Sequence, residues 1–367
     1  MPIPGDIPGQ SEFVEATNGR LRAFLSGKRE QVTAVDPGAG TLVDSLVSLT
    51  AGGKKLRPVL AWLGGRAAGR SGDEQALTEL GVALELFQAA ALIHDDVIDR
   101  SDTRRGQPST HRWFARHHRT SEFSGDSDHY GVSGAILVGD LALSWAGEVF
   151  SEAEAVAADP SPAGREVFQR MHTEVITGQY LDVLAEVIPP AESEAGAVGR
   201  ARNVLTYKAA RYSTEYPLAL GCSLAGGGAQ LQRALAAAGL PLGIAFQLRD
   251  DLLGVFGDPE VTGKPVGDDL REGKRTELIA YGLHRSAAAA AAELEAVLGD
   301  AALDDQKVAR AREILVSSGA RAAVEREIAQ LAEASERSRA ELSRLGVDED
   351  VLTDFAAVAE LLLARTS

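Results

Sequence analysis

Two short acidic clusters, each trailed by basic residues, are the part of this sequence best suited to chemistry. In LIHDDVIDRSDTRRG, Asp95 and Asp99 stand four residues apart, so a helix sets both carboxylates on one face with Asp96 beside them. Carboxylates this close repel one another unless a cation joins them. Hard oxygen ligands of this type suit Mg²⁺, which shares its coordination sphere with phosphates and water. Arg104 and Arg105 follow, and guanidinium groups can grip phosphate oxygens in pairs. Taken alone, the motif reads equally well as a solvated acidic helix end with a basic turn.

The second cluster, FQLRDDLLGVFGDPEVTGKPVGDD, breaks that tie. Asp250 and Asp251 fall late in a helix expected to begin near Pro241, with Gln247 one turn earlier on the face of Asp250. Ile244, Phe246, Leu248, Leu252 and Leu253 surround them, a setting that suits a cavity wall better than a solvated surface. Lys264 and Lys274 come next. Five of the seven lysines (Lys54, Lys55, Lys208, Lys264 and Lys274) lie in such motifs, although Arg outnumbers Lys by thirty to seven. Compact ammonium charges and acid-held metals together describe a clamp for a diphosphate.

The elements that must position these groups are helices. Ala and Leu are abundant, aromatic residues make up 5%, and long β-branched runs are missing. Pro58 sits where a helix opens after GGKKLR, Gly239 and Pro241 are expected to separate two helices, and Pro189-Pro190 ends another. The polar stretch 120–131 reads as a loop insertion, residues 1–10 as a flexible arm, and 11–367 as one helical domain. Segments 287–298, 320–345 and 351–365 read as amphipathic packing helices. The net charge of -16 argues against a nucleic-acid partner. The single cysteine, Cys222, permits no intrachain disulfide and is expected in the core. No leader is visible, and the apolar stretch at 135–149, interrupted by Asp140 and Glu148, falls short of a membrane span. A cytoplasmic protein is expected.

In this order the motifs resemble those of the trans-type polyprenyl diphosphate synthases, closest in kind to bacterial geranylgeranyl diphosphate synthases. The first acidic cluster looks like that family's first aspartate-rich motif, and GGKKLRP like its isopentenyl diphosphate loop. GQYLD (178–182), YKAARY (207–212) and FQLRDD also match in kind and order, so the resemblance spans roughly residues 52–276. It implies an all-α, single-domain antiparallel helix bundle around a deep central apolar cavity. It further implies a homodimer that condenses isopentenyl diphosphate with allylic diphosphates.

Carried over by residue, Asp95, Asp99 and Asp250 would hold Mg²⁺, three ions per site, with Mn²⁺ as an alternative cation. Arg104, Lys208, Gln247 and Lys264 would contact the allylic diphosphate. Lys54, Arg57, Gln88 and Arg105 would hold isopentenyl diphosphate, Lys54 being preferred to Lys55 by alignment of the GGK start, and Gln179 would line the site. Three positions depart from the pattern. Gly254 stands where a third aspartate is common in the second motif, with Asp258 a possible replacement. Gln88 stands where many members have His, and Ala209 where a hydroxyl residue follows the lysine.

Leu80, Leu84, Phe87, Ala91 and Asp95 share one helical face, so a growing prenyl chain would run down it from the metal. Ala90 and Ala91 leave room one turn below Asp95, and Phe87 forms a floor a turn further on. That geometry points to a twenty-carbon product, geranylgeranyl diphosphate. Phe87 as plain core, with a farnesyl or longer product, is the rival reading. His94 is expected to pack or hydrogen-bond within the bundle, and THRWFARHHR (110–119) to be a basic surface segment. A terpene cyclase would not need GGKKLRP, and a non-catalytic regulatory subunit would be expected to lose the acids retained here.

Overall fold

The computed structural model describes residues 7–69, 74–257, 267–300 and 302–364, and they are almost wholly helical. The chain groups into two compact units, 1–164 with 217–229, and 165–216 with 230–367.

In the first unit, α1 (Gln10–Val35), α2 (Gly40–Thr50) and α3 (Leu56–Ala67) lead into α4 (Glu74–Ile98). A two-residue hairpin, β1 (Thr103–Arg104) and β2 (Gln107–Pro108), then precedes α5 (Thr110–Thr120) and α6 (Ser127–Val156). Pro58 occupies the first turn of α3, where no backbone N–H is required. The heart of the unit is α4 packed along α6, where Leu80, Leu84 and Phe87 are buried with Val138, Ala142 and Val149.

Three expectations are revised here. The polar stretch at 120–131 is loop only between Thr120 and Ser127, because the Asp126 carboxylate accepts from the amides of Asp128 and His129 and starts α6. Both α4 and α6 are long and apolar enough to cross a membrane by length and composition. The stretch of α4 that qualifies is mostly buried, so packing against α6 accounts for its apolar character. Finally, α5 is a surface helix on one side only, since His111, Phe114 and His118 are buried.

The second unit contains α7 (Ala163–Val187), α8 (Glu194–Leu205) and a π-helical stretch (Thr206–Glu215); α9 (Tyr216–Leu224) follows in the chain and, from Pro217, belongs to the first unit. These are followed by α10 (Ala229–Phe256), α11 (Asp268–Glu272), α12 (Glu277–Arg285) and α13 (Ala288–Val297). The last elements are α14 (Asp305–Ser317), α15 (Ala320–Arg344) and α16 (Glu349–Leu363). Leu248, Leu252, Leu270, Leu278, Leu294, Leu315 and Val324 form its core. Contrary to the expected break, α10 runs straight through Pro241. Hydroxyls from other helices support the turn before it: Ser335 donates to the Ala238 carbonyl at 2.8 Å and Thr214 to that of Gly239 at 2.8 Å. As expected, α7 ends before Pro189-Pro190.

Candidate active site

The candidate residues fall into two groups, one in each unit. In the first unit, helical geometry at the end of α4 puts Asp95 and Asp99 one turn apart. The Asp99 amide donates to the Asp95 carbonyl at 2.8 Å, and Arg100 then leaves the helix in the left-handed region at φ 55°. Asp96 does not join the pair. It is buried, and Arg104 donates to its Oδ1 from two nitrogens, Nε at 2.9 Å. The same guanidinium lies 3.7 Å from an Asp95 carboxylate oxygen.

The hairpin carries this arginine pair because Arg105 and Gly106, at φ 55° and 73°, form the tight turn between β1 and β2. Arg105 lies against Gly53 of the GGKKLRP loop, within 2.9 Å of where a Cβ would stand there. Burial lowers the pKa of the Arg105 guanidinium, Glu85 opposes that effect, and the charges of Arg104 and Arg57 add to it. Positive charge is thus crowded beside the loop, which favours an anion. Lys54 is exposed on the same loop. Lys55 is buried, donating to the Thr50 carbonyl at 2.9 Å and to Glu85 at 2.6 Å, so it serves the fold. Gln88 is partly exposed on α4, three residues after Glu85. Sequence reasoning passed over Glu85, whose spacing from Gln88 on one helix face was the available signal.

Phe87 and Ala90 are buried at 2% and 1% exposure, and Ala91 is partly exposed. His94 reaches α6, with its Nε2 3.4 Å from the Ile136 carbonyl and 3.5 Å from Asp140.

In the second unit, Lys208 lies in the π-helical stretch and its ammonium meets Asp182 of α7 at 2.5 Å. The approach is close because residue 178 is glycine: a Cβ there would overlap the Lys208 backbone nitrogen. Gln179 has a buried Nε2 with no hydrogen-bond partner among the described residues. On α10, Gln247 donates to Asp251, the second acid of the cluster, at 3.4 Å. Burial, Asp269 and Asp250 hold the Asp251 carboxyl well above the usual carboxylate range, against the opposing influence of Gln247 and Lys274. Asp269 is buried on α11, and Lys274 lies 4.0 Å from it and 2.5 Å from Glu272. Lys264 and Asp258 lie outside the described residues.

Among the described residues, no three or more His, Cys, Asp or Glu side chains gather as a ready-made metal cage. Asp95 and Asp99, partly exposed and on adjacent turns, fit a Mg²⁺ that takes its remaining oxygens from phosphate and water.

The polyprenyl synthetase family model matches residues 41–315, three quarters of the chain. The chain belongs to the polyprenyl synthetase family. It is 34% identical over 278 residues to a geranylfarnesyl diphosphate synthase of Aeropyrum pernix, covering 75% of this chain and 79% of that one. It is 32% identical to a (2E,6E)-farnesyl diphosphate synthase of Mycobacterium tuberculosis, covering 73% and 68%. A solved geranylgeranyl pyrophosphate synthase of Corynebacterium glutamicum, complexed with isoprenyl diphosphate and magnesium, superposes with a TM-score of 0.90 at 39% identity. That match covers 99% of this chain and 100% of that one. As a polyprenyl synthetase with the all-α fold of these enzymes, the protein is a Mg²⁺-dependent prenyltransferase that condenses isopentenyl diphosphate with allylic diphosphates.

Proposed function

We propose that the protein makes geranylgeranyl diphosphate and that residues 11–367 form a single helical domain. The observation that carries the reading is the crowding of the charges of Arg57, Arg104 and Glu85 about Arg105, with Arg104 reaching to within 3.7 Å of Asp95. Lys54, Arg57, Gln88 and Arg105 hold isopentenyl diphosphate. Arg104, Lys208, Gln247 and Lys264 hold the allylic diphosphate. Asp95, Asp99 and Asp250 hold the metal, three Mg²⁺ per site, with Mn²⁺ an acceptable substitute.

Bound Mg²⁺ would supply charge stabilisation for the leaving diphosphate. The fixed cations Arg104 and Lys208 add to that stabilisation as the allylic carbon–oxygen bond breaks, and this is electrostatic catalysis. Replacing Asp96 and Asp182, the present partners of those cations, with diphosphate oxygens would couple substrate binding to release of two internal ion pairs. Apolar walls along α4 shield the allylic cation from water. The double bond of isopentenyl diphosphate attacks that cation, and the released diphosphate takes the proton, so no protein base is assigned.

Twenty carbons as the product length rests on the small residues Ala90 and Ala91 above buried Phe87. A turn of helix rises about 5.4 Å, close to one isoprene unit. Geranylgeranyl diphosphate synthases among the similar proteins, including one from Methanosarcina mazei at 34% identity over 233 residues, support the same length. The enzyme is proposed to work in the cytoplasm as a homodimer. Chain-length analysis of Phe87→Ala tests the floor. Products longer than those of the unsubstituted enzyme support it, and an unchanged length removes it.

A further inference from the structure

The second acidic motif has glycine where a third carboxylate would complete it, and the structure gives a reason. A Cβ built on Gly254 would overlap Oδ2 of Asp269, so the space that a side chain at 254 would need is filled by the Asp269 carboxylate. Asp269 comes from α11, later in the chain than α10, and is buried. Its backbone and its carboxylate are both fixed. Its carbonyl accepts from the Lys274 amide at 3.0 Å, and the Lys274 ammonium stands 4.0 Å from Oδ1. Gly254 is one turn beyond Asp250 and Asp251 on α10, so this carboxylate arrives on the stretch of helix that carries the acid pair.

We infer that Asp269 takes the part of the carboxylate missing at position 254, and that position 254 is glycine because Asp269 occupies its place. Asp269 is then a positioning residue. It adds negative charge and a hydrogen-bond acceptor beside the acid pair, and would steer Lys274 and water at the cation that Asp250 would hold. The inference rests on the reading of Asp250 as a metal-holding residue. It differs from a packing role in one respect: neutralising Asp269 without changing its shape should alter the response to Mg²⁺ and leave the fold intact.

The test is calorimetric binding of inorganic diphosphate across a Mg²⁺ titration, with the metal-free melting temperature recorded alongside. Asp269→Asn is expected to raise the Mg²⁺ concentration for half-maximal diphosphate binding by about tenfold, as loss of an outer-sphere partner does. Its metal-free melting temperature should not fall, because a like-charge neighbour of Asp251 has been removed. Gly254→Ala should push the Asp269 carboxylate aside and reproduce the Mg²⁺ effect. The exchange Gly254→Asp with Asp269→Gly should bring the Mg²⁺ requirement back towards that of the unsubstituted protein. An Asp269→Asn protein with the original Mg²⁺ requirement overturns the inference and leaves the proposed function standing. A Gly254→Ala protein with the original requirement overturns the link between the two positions. Unsubstituted protein that binds no diphosphate at any Mg²⁺ concentration removes both the inference and the site reading beneath it.

Discussion

The ammonium of Lys55 lies 2.6 Å from a carboxylate oxygen of Glu85, and both side chains are nearly closed off from solvent. The neighbouring lysine, Lys54, is exposed. Two adjacent lysines in one loop therefore sit in different settings: one holds the loop to α4, and the other, the proposed isopentenyl diphosphate ligand, is exposed.

That division predicts opposite outcomes for two substitutions. Lys55→Met strands the Glu85 carboxylate and should cost about 3–5 kcal/mol of stability. Lys55→Met combined with Glu85→Leu should recover most of it, since a buried pair replaced as a whole by apolar groups is often neutral. Lys54→Ala should leave chemical denaturation unchanged and raise the KM for isopentenyl diphosphate. A Lys54→Ala protein that melts early while keeping its KM would reverse the assignment.

Burial in the second unit depresses the pKa of His172 to about 4, with its ring against Phe168 at 4.6 Å. An unfolded histidine titrates near 6.5, so between these values the unfolded chain binds the extra proton. Stability from this site is complete above about pH 6.5 and declines as pH falls toward 4. The loss at pH 5 should be about 2 kcal/mol. His172→Leu should show a smaller drop between pH 7 and pH 5 by urea denaturation. An equal drop in both proteins would assign the pH dependence elsewhere.

Cys222 is fully buried, and burial pushes its thiol up to about 12. At pH 8 its thiolate fraction should be about one part in ten thousand, so native protein should resist a thiol-specific reagent. Reaction in step with unfolding is the expected result. Rapid labelling of native protein would contradict the burial.

Gly178 lets α7 approach the π-helical stretch that carries Lys208. Gly178→Ala should force them apart, costing about 1–3 kcal/mol. The displacement should lower kcat by about tenfold or more, because Lys208 would be misplaced relative to the leaving group. Unchanged kcat in a stable Gly178→Ala protein would separate Lys208 from the chemistry.

Much of this was legible in the chain itself, because it depended on local spacing. The four-residue step from Asp95 to Asp99, Pro58 at a helix start and the stop before Pro189 each follow from backbone geometry over one or two turns. The remainder depended on residues distant in sequence. Asp96 read as a third carboxylate of the acidic cluster, and Arg104 pairs with it; Lys55 read as the lesser candidate beside Lys54, and Glu85 holds it. Pro241 read as a helix break because the hydroxyls that support its turn come from Thr214 and Ser335. Gly254 read as a loss because nothing near it in sequence shows that Asp269 fills its place. In each case a partner 8 to 97 residues away decided the outcome.

The most direct test of the central claim is incubation of the purified protein with labelled isopentenyl diphosphate, Mg²⁺ and separate five-, ten- and fifteen-carbon allylic diphosphates, followed by chain-length analysis. Elongation that ends at twenty carbons, disappears with EDTA and is crippled in Asp99→Asn is the predicted result. Folded protein that incorporates no label from any primer would contradict the account.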